Sequence, residues 1–162
     1  MPVYLKCETI GGDVTATGYD GCIRLDSAKF DIGHKVDESV SGYGADDKDI
    51  ALRQIVAGYF VVTKEMDSSA ASVLNAVVKA TEDDMSVIFL GMSPATGADV
   101  KFLEYELAGC RVVNYTMESD AEGKVIETLS IYYKKITLKY TGRNKGGLSA
   151  GREIAVYDRS RD

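Results

Sequence analysis

The chain has 162 residues, of which 45% are hydrophobic and 27% are charged, and its formal net charge is −6. This length suits one domain with a substantial core and is too short to suggest two. The acidic balance argues against a nucleic-acid partner, because such proteins normally show a basic face. We therefore predict a single domain over residues 1–162, in which a segment from about 142 to 162 forms a solvated C-terminal tail.

The N-terminal sequence MPVYLKCETIGGD has no basic region followed by an apolar run, so no secretory signal peptide is predicted. No apolar segment approaches the length of a membrane span, and no membrane insertion is expected. The three cysteines, Cys7, Cys22 and Cys110, are widely spaced and form no CxxC pair. These features predict folding in the cytosol, with the cysteines as small core residues.

Strand patterns dominate the first part of the chain. VYLKC alternates, and so does IRLDSAKFDI, with a change of phase near Asp26 and Ser27 that is typical of a β-bulge. The polar side chains of this stretch that alternate with apolar ones, and so face away from the core, are Ser27, Lys29 and Asp31. The next stretch, GHKVDESVSGYGADDKD, predicts a long loop or an extended excursion. A loop of this length in a compact domain is usually functional or disordered.

One helix pattern follows the predicted strand IALRQIVAGYFVVT. Apolar residues then recur at the i, i+3, i+4, i+7 spacing of an amphipathic helix, namely Ala70, Val73, Leu74, Val77 and Val78. Asp67, Ser68 or Ser69 is expected to cap the helix. We expect the last four apolar residues to be buried where the helix covers an open end or edge of the sheets. Asp83 and Asp84 are assigned to the following turn, because a helix C-terminus disfavours carboxylates.

The second half reads as strands and turns. SVIFLGM predicts a short buried strand, PATGAD a turn, and VKFLEYELAGCRVVNYTM one bent strand or two strands split at Ala108 and Gly109. ESDAEGK predicts a hairpin turn before VIETLSIYYKKITLKYT, where the parity of apolar residues changes across Lys134 and Lys135. Such a change indicates a bulge or bend, as in a strand that wraps a barrel. Seven or eight strands predict a mainly β fold, a small β-barrel or two-sheet antiparallel sandwich with one flanking α-helix.

Signals for catalysis are few. The single histidine, His34, is interpreted as an exposed loop residue, and the sequence contains no GxSxG, HExxH or CxxC motif. DDKD at residues 46–49 lacks the Gly and Glu positions of a calcium loop. TGRNKGG at residues 141–147 has no helix pattern after it, which a phosphate loop requires. We predict no catalytic residue, metal or cofactor, and interpret the chain as a binding or building unit.

Two separated motifs resemble the Hcp family, the haemolysin-coregulated proteins that form the inner tube of type VI secretion systems. The first motif comprises Thr63, Lys64, Asp67, Ser69 and Leu74. The second comprises Glu127, Leu129, Ser130, Tyr133, Lys135, Ile136 and Tyr140. The two motifs occur in the right order, and the resemblance covers nearly the whole chain.

The resemblance implies a small β-barrel that assembles into hexameric rings, which stack into a hollow tube inside a contractile sheath. The implied partners are copies of the chain itself, the sheath, baseplate and spike proteins, and small effectors carried and stabilised in the lumen. It further implies a protein made in the cytoplasm, exported through the type VI apparatus, and without enzymatic activity. A contractile phage-type tail tube subunit is an alternative, since those proteins share the fold. A monomeric β-barrel that binds a small apolar ligand is a second alternative.

A closed ring requires a heterologous interface, in which one patch of a subunit meets a different patch of its neighbour. For ring or stacking contacts we predict residues of the long loop, namely Ser39, Gly42, Tyr43, Gly44, Asp46 and Asp47. For the cargo-facing surface of the lumen we predict Ser27, Lys29 and Asp31. For contacts beside the helix we predict Lys64, Glu65 and Ser72.

Overall fold

The computed structural model describes residues 1–36, 52–143 and 149–161. Within these ranges it contains eleven strands and one α-helix. In chain order the elements are β1 (Val3–Cys7), β2 (Ile23–Leu25), β3 (Ser27–Lys29), β4 (Ile32–Val36), β5 (Leu52–Ala57), β6 (Phe60–Glu65), α1 (Ala70–Lys79), β7 (Asp83–Met92), β8 (Asp99–Ser119), β9 (Val125–Tyr132), β10 (Lys135–Arg143), β11 (Ser149–Asp158) and a 3₁₀ turn (Arg159–Arg161).

Two antiparallel sheets share the long strand β8. The first half of β8 pairs with β7 and β10, which gives a six-stranded sheet in the order β2-β1-β7-β8-β10-β11. The second half pairs with β9, which gives a four-stranded sheet in the order β8-β9-β6-β3. Strands β4 and β5 pair only with each other among the described residues.

The chain passes from one sheet to the other at the phase changes seen in the sequence. Asp26 separates β2 from β3, and its N–H donates to the carbonyl of Thr63 at 2.8 Å. Gly109 lies where β8 changes partners, with a φ of 61° that favours glycine. The parity change at Lys134 is a turn between β9 and β10, so the predicted single long strand is two strands in different sheets. These corners fold both sheets over a common core.

The predicted fold class is confirmed: the chain is mainly β, antiparallel, and built as two sheets with one helix in the part that the structure describes. The strands of the described residues do not form a closed barrel. The hydrogen-bonded path runs from β2 to β3 without returning on itself, and these two end strands are joined through Asp26 by the covalent chain. The two-sheet sandwich is therefore the better description.

The main core lies between the sheets and under the helix. Phe60, in β6, is at its centre, because its ring stacks on Phe30 at 5.7 Å and meets Tyr105 at 5.5 Å between centroids. Other fully buried members are Leu5, Ile23, Val62, Val73, Val87, Leu107, Leu129 and Ile131. A second, smaller cluster lies on the outer face of the six-stranded sheet and contains Tyr4, Cys22, Ile88 and Leu90, with Val14 and Tyr19 packed against it.

The helix begins at Ala70. Ser69, one of the predicted capping residues, is at its N-cap position but makes no side-chain capping hydrogen bond. The Asp67 carboxylate accepts the N–H of Ser69 at 3.0 Å and also the Ser69 hydroxyl. Asp13 accepts the N–H of Ser68 at 3.1 Å together with its hydroxyl, and these hydrogen bonds lower the pKa of Asp13. Two carboxylates thus accept the amides of Ser68 and Ser69, just before the positive end of the helix.

The apolar stripe of the helix is only partly buried. Val73 and Ala76 are buried, Val77 is half-buried, and Leu74 and Val78 are 50% and 77% exposed. The prediction that Leu74 and Val78 close the core is therefore wrong for the single chain. The helix packs on β8 through the side that carries Val73 and Ala76. The apolar stripe extends beyond this contact, so its outer residues are exposed.

Replacing Ala80 with glycine should raise the free energy of unfolding by about 0.5–1 kcal/mol. Ala80 ends the helix with a φ of 49° and a ψ of 42°, the left-handed conformation that a Cβ disfavours. Ala71→Gly is the matched control, because Ala71 is exposed within the helix and its replacement should lower stability by a similar amount, about 0.5–1 kcal/mol. Urea titration measures both, and a loss of stability in both variants would contradict the prediction.

Three segments predicted as loop, turn or tail are strands. His34 lies in β4, exposed and opposite Ile55, and not in a loop. Residues 149–158 form β11, so the C-terminal segment is not simply a solvated tail. Asp83 and Asp84 begin β7, where the Asp83 carboxylate accepts the N–H groups of residues 8 and 9 at 3.2 and 3.1 Å. None of the described helices is both long and apolar enough to span a membrane.

Candidate functional site

The outer face of the four-stranded sheet carries a row of hydroxyl groups. Ser27 pairs with Thr63, Thr63 with Thr128, and Thr128 with Thr116, so the row crosses all four strands. The Ser27 and Thr63 hydroxyl oxygens are 2.6 Å apart. In the next row along the strands, Lys29, Val61, Ser130 and Asn114 are register partners. We call these two rows the polar face.

Two of the three predicted luminal residues lie on the polar face. Ser27 and Lys29 are exposed, while Ala28 and Phe30 pack against the core, as the alternation predicts. Asp31 lies past the end of β3, where its carbonyl accepts the N–H of Gly58 at 2.9 Å. The role of these residues in a lumen stays a prediction.

A buried ionic cluster lies on the opposite, inner side of the same sheet. Lys64 and Glu127 are both 0% exposed, and the Lys64 ammonium is 2.8 Å from the Glu127 carboxylate. The ammonium is also 2.8 Å from Asp67 at the start of the helix. The Tyr115 hydroxyl donates to Glu127 at 3.2 Å, and burial together with this carboxylate raises the pKa of Tyr115. The cluster ties β6, β8 and β9 to the helix N-terminus.

This cluster corrects one predicted contact residue. Lys64 belongs to strand β6 and is fully enclosed by its own chain, so its prediction as a contact with a neighbouring subunit is wrong. Glu65, also in β6, is exposed and 2.6 Å from Lys124. Ser72 is exposed on the helix. Glu65 and Ser72 therefore stay predictions as contact residues.

The residues predicted for ring or stacking contacts lie outside the described residues. All six, Ser39, Gly42, Tyr43, Gly44, Asp46 and Asp47, belong to the range 37–51.

Two depressions occupy the outer face of the six-stranded sheet. The larger, of about 750 Å³, is bordered by residues 17–19, and its lining mixes apolar and polar residues with charged side chains such as Lys6, Asp84, Glu106 and Lys135. A smaller one of about 240 Å³ adjoins it through Lys101 and Glu104. Sites for small apolar ligands are mostly lined by apolar side chains. Neither depression has the lining that the ligand-binding alternative requires.

Two of the three cysteine thiols are in surroundings that disfavour their ionised form. Burial raises the pKa of the Cys110 thiol to about 12, and burial with the nearby Asp83 raises the pKa of Cys7 well above its usual range. Neither thiol is therefore a thiolate nucleophile near neutral pH. The described part of the chain contains no group of three or more His, Cys, Asp or Glu side chains that could hold a metal ion. After β10, the next described element is strand β11 and not the helix of a phosphate loop.

Comparison with known proteins gives one family. The family described as "Type VI secretion system effector, Hcp" matches residues 4–140. No curated protein matches the chain.

Solved structures share the fold at low sequence identity. A type six secretion system protein superimposes with a TM-score of 0.86 at 17% identity, covering 99% of this chain and 96% of that chain. A variant of the Hcp1 protein from E. coli EAEC 042 gives 0.75 at 20% identity, covering 98% and 99%. A type VI secretion system effector from Yersinia pestis gives 0.73 at 13% identity, covering 96% and 98%. At such identities the likeness shows the fold alone.

Proposed function

Because the chain belongs to the Hcp family of type VI secretion tube proteins, we propose that it forms hexameric rings that stack into the exported inner tube. The tube would lie inside the sheath, contact the baseplate and spike proteins, and carry small effectors in its lumen. The chain would leave the cell through the type VI apparatus and act without catalysing a reaction. A phage-type tail tube subunit shares this architecture, and no observation favours it.

The observation that carries this proposal is the polar face. Six of the eight side chains in its two rows carry a hydroxyl or an amide, and the other two are Lys29, the one charged side chain of these rows, and Val61. Such a surface lets a folded cargo move along it, because it offers neither a large apolar contact nor a dense charge of one sign. We place this face toward the lumen, with Ser27 and Lys29 directed at cargo and Asp31 at its border.

The ring contact is supported by apolar side chains that the single chain leaves exposed. Leu74 and Val78 lie one helical turn apart, and both are at least half exposed. Monomeric proteins seldom leave an amphipathic helix uncovered in this way, and exposed apolar patches commonly mark protein contacts. We propose that Leu74 and Val78 are buried against the adjoining subunit, with Ser72 and Glu65 at the border. Residues 39–47 are proposed to contribute a further contact within or between rings.

Light scattering coupled to size-exclusion chromatography tests the function. The proposal expects a species of six times the chain mass of 17.5 kDa. A strictly monomeric protein at every concentration would contradict it and would favour the ligand-binding alternative.

A gold label on Lys29→Cys tests the placement of the polar face. Lys29 is exposed, so its replacement by cysteine should leave the assembly intact and react with a maleimide-gold cluster. Electron microscopy of labelled rings should show gold inside the central hole. The unsubstituted protein is the control, because its thiols are buried or half-buried and burial raises the pKa of Cys7, Cys22 and Cys110. Gold on the outer rim would refute the placement.

A further inference from the structure

The two ends of strand β8 carry opposite charge. Near its first end, the smaller depression is lined by Lys101, Phe102, Glu104, Lys139, Thr141 and Arg152. We call this the basic depression. At its last end, the end of β8 and the turn that follows it carry three exposed acidic residues: Glu118 in the strand, and Asp120 and Glu122 in the turn. We call this the acidic turn.

One positive charge in the basic depression is not compensated. Lys101 is 2.6 Å from Glu104, and Lys139 is paired with Glu106. Arg152 projects from β11 opposite Thr141 and has no carboxylate within ion-pair distance among the described residues. A guanidinium offers two parallel N–H donors to a carboxylate. Arg152 is therefore suited to bind a carboxylate that comes from outside its own chain.

The acidic turn is held by hydrogen bonds and presents carboxylates that form no ion pair with the described residues. Asp120 accepts the N–H groups of Glu122 and Lys124, both at 2.9 Å, which fixes the turn. The Lys124 ammonium is held by Glu65 at 2.6 Å. In the described ranges, Glu118 and Glu122 have no cation within ion-pair distance. The turn therefore shows two free carboxylates on a preorganised loop.

We propose that the basic depression receives the acidic turn of a second copy in the next ring, with Glu122 or Glu118 on Arg152. This inference rests on the proposed function. Because the two patches are different surfaces of one chain, the contact is heterologous, and repeated along an axis it builds an open stack. A single exposed ion pair contributes little. Between two rings the same pair recurs once per subunit, and the repeats act together.

The stack should therefore be sensitive to salt, because exposed charges are screened over about 8 Å at physiological ionic strength. Ring closure, for which we propose the apolar residues Leu74 and Val78, should be much less sensitive. Ring formation and stacking can thus be separated by salt alone.

Charge reversal tests the contact. Three variants are compared at low salt of about 50 mM. The first carries Arg152→Glu, the second carries both Glu118→Arg and Glu122→Arg, and the third combines all three substitutions. Each reversal alone should raise the protein concentration at which stacks appear by at least about tenfold, since it replaces attraction by repulsion. The combination should restore stacking to within about threefold of the unsubstituted protein. Arg24→Glu, at an exposed site in β2, is the control and should leave stacking unchanged.

Sedimentation and electron microscopy, at low and high salt, separate the outcomes. Single reversals that form intact rings but few stacks, with rescue in the combination, support the contact. The contact is refuted if the reversals have no effect, if the combination does not rescue stacking, or if intact rings never stack at low salt. None of these outcomes contradicts the proposed ring. A protein that forms no rings at all would instead refute the proposed function. Circular dichroism of each variant excludes unfolding as the cause.

Discussion

Lys64→Met is expected to lower the free energy of unfolding by about 3–5 kcal/mol, because it removes one partner of a buried ion pair. Glu127 is 0% exposed and would lose the ammonium that now lies 2.8 Å away. Asp67 would lose the same partner at the start of the helix. Urea denaturation followed by circular dichroism measures the loss, and thermal melting should shift in the same direction.

The combination of Lys64→Met with Glu127→Leu should recover part of that stability, because it removes both fully buried charges and leaves apolar groups of similar size. The remainder reflects Asp67 and the Tyr115 hydroxyl, which stay without their partners. Lys29→Met, on the exposed face of the neighbouring strand, is the control and should change stability by less than about 0.5 kcal/mol. If Lys64→Met cost no more than this control, the account of the buried cluster would be wrong.

Phe60→Ala is also expected to cost about 3–5 kcal/mol, through lost burial and the cavity left behind. The Phe60 ring is 2% exposed and lies 5.7 Å from Phe30 and 5.5 Å from Tyr105. These three rings join strands of both sheets, so the cavity cannot be filled by movement of a single side chain. The loss should appear in urea denaturation and as weaker near-ultraviolet dichroism from the remaining rings.

Tyr59 provides a matched control, since it is the preceding residue and is 51% exposed. Tyr59→Ala should cost well under half as much as Phe60→Ala, and Phe60→Leu, which keeps most of the volume, should cost less than about 1.5 kcal/mol. Equal losses for Tyr59→Ala and Phe60→Ala would show that the aromatic cluster does not hold the sheets together.

Apolar alternation predicted the fold class and the places where the chain bends. The phase changes near Asp26 and at Lys134 both occur where the chain leaves one sheet and enters the other. The alternation of apolar residues reports only which side chains point inward, however. A bend inside one strand and a passage to another sheet therefore produce the same change of phase in the sequence. For this reason the pattern over residues 125–141 predicts one long strand with a bulge or bend, although these residues form β9 and most of β10.

The missed strands β4 and β11 have a different origin. Much of β11 is exposed, including Ile154 and Val156, so its formation depends on backbone pairing with β10 more than on burial. Sequence patterns report burial and are weak guides to such edge strands. The helix pattern, in contrast, predicted the helix correctly but overestimated how much of the stripe one chain buries.

Two members of the buried cluster belong to motifs identified in the sequence, but their ion pair is not predicted by the sequence. Lys64 and Glu127 are part of the two motifs that resemble the Hcp family, but they are 63 residues apart and nothing in the sequence pairs them. The alternation of FVVTKE places Lys64 on the same face as Phe60 and Val62, which was a usable sign that it points inward. Ser27 and Lys29 were placed on the outer face by the same argument, and there the structure agrees.

Electron microscopy of the purified protein tests the central claim most directly. The account predicts rings of one diameter with a central hole, in which the four-stranded sheet of each subunit turns its polar face inward. Particles of single-chain size without a hole, or rings whose inner wall is formed by the six-stranded sheet, would contradict it.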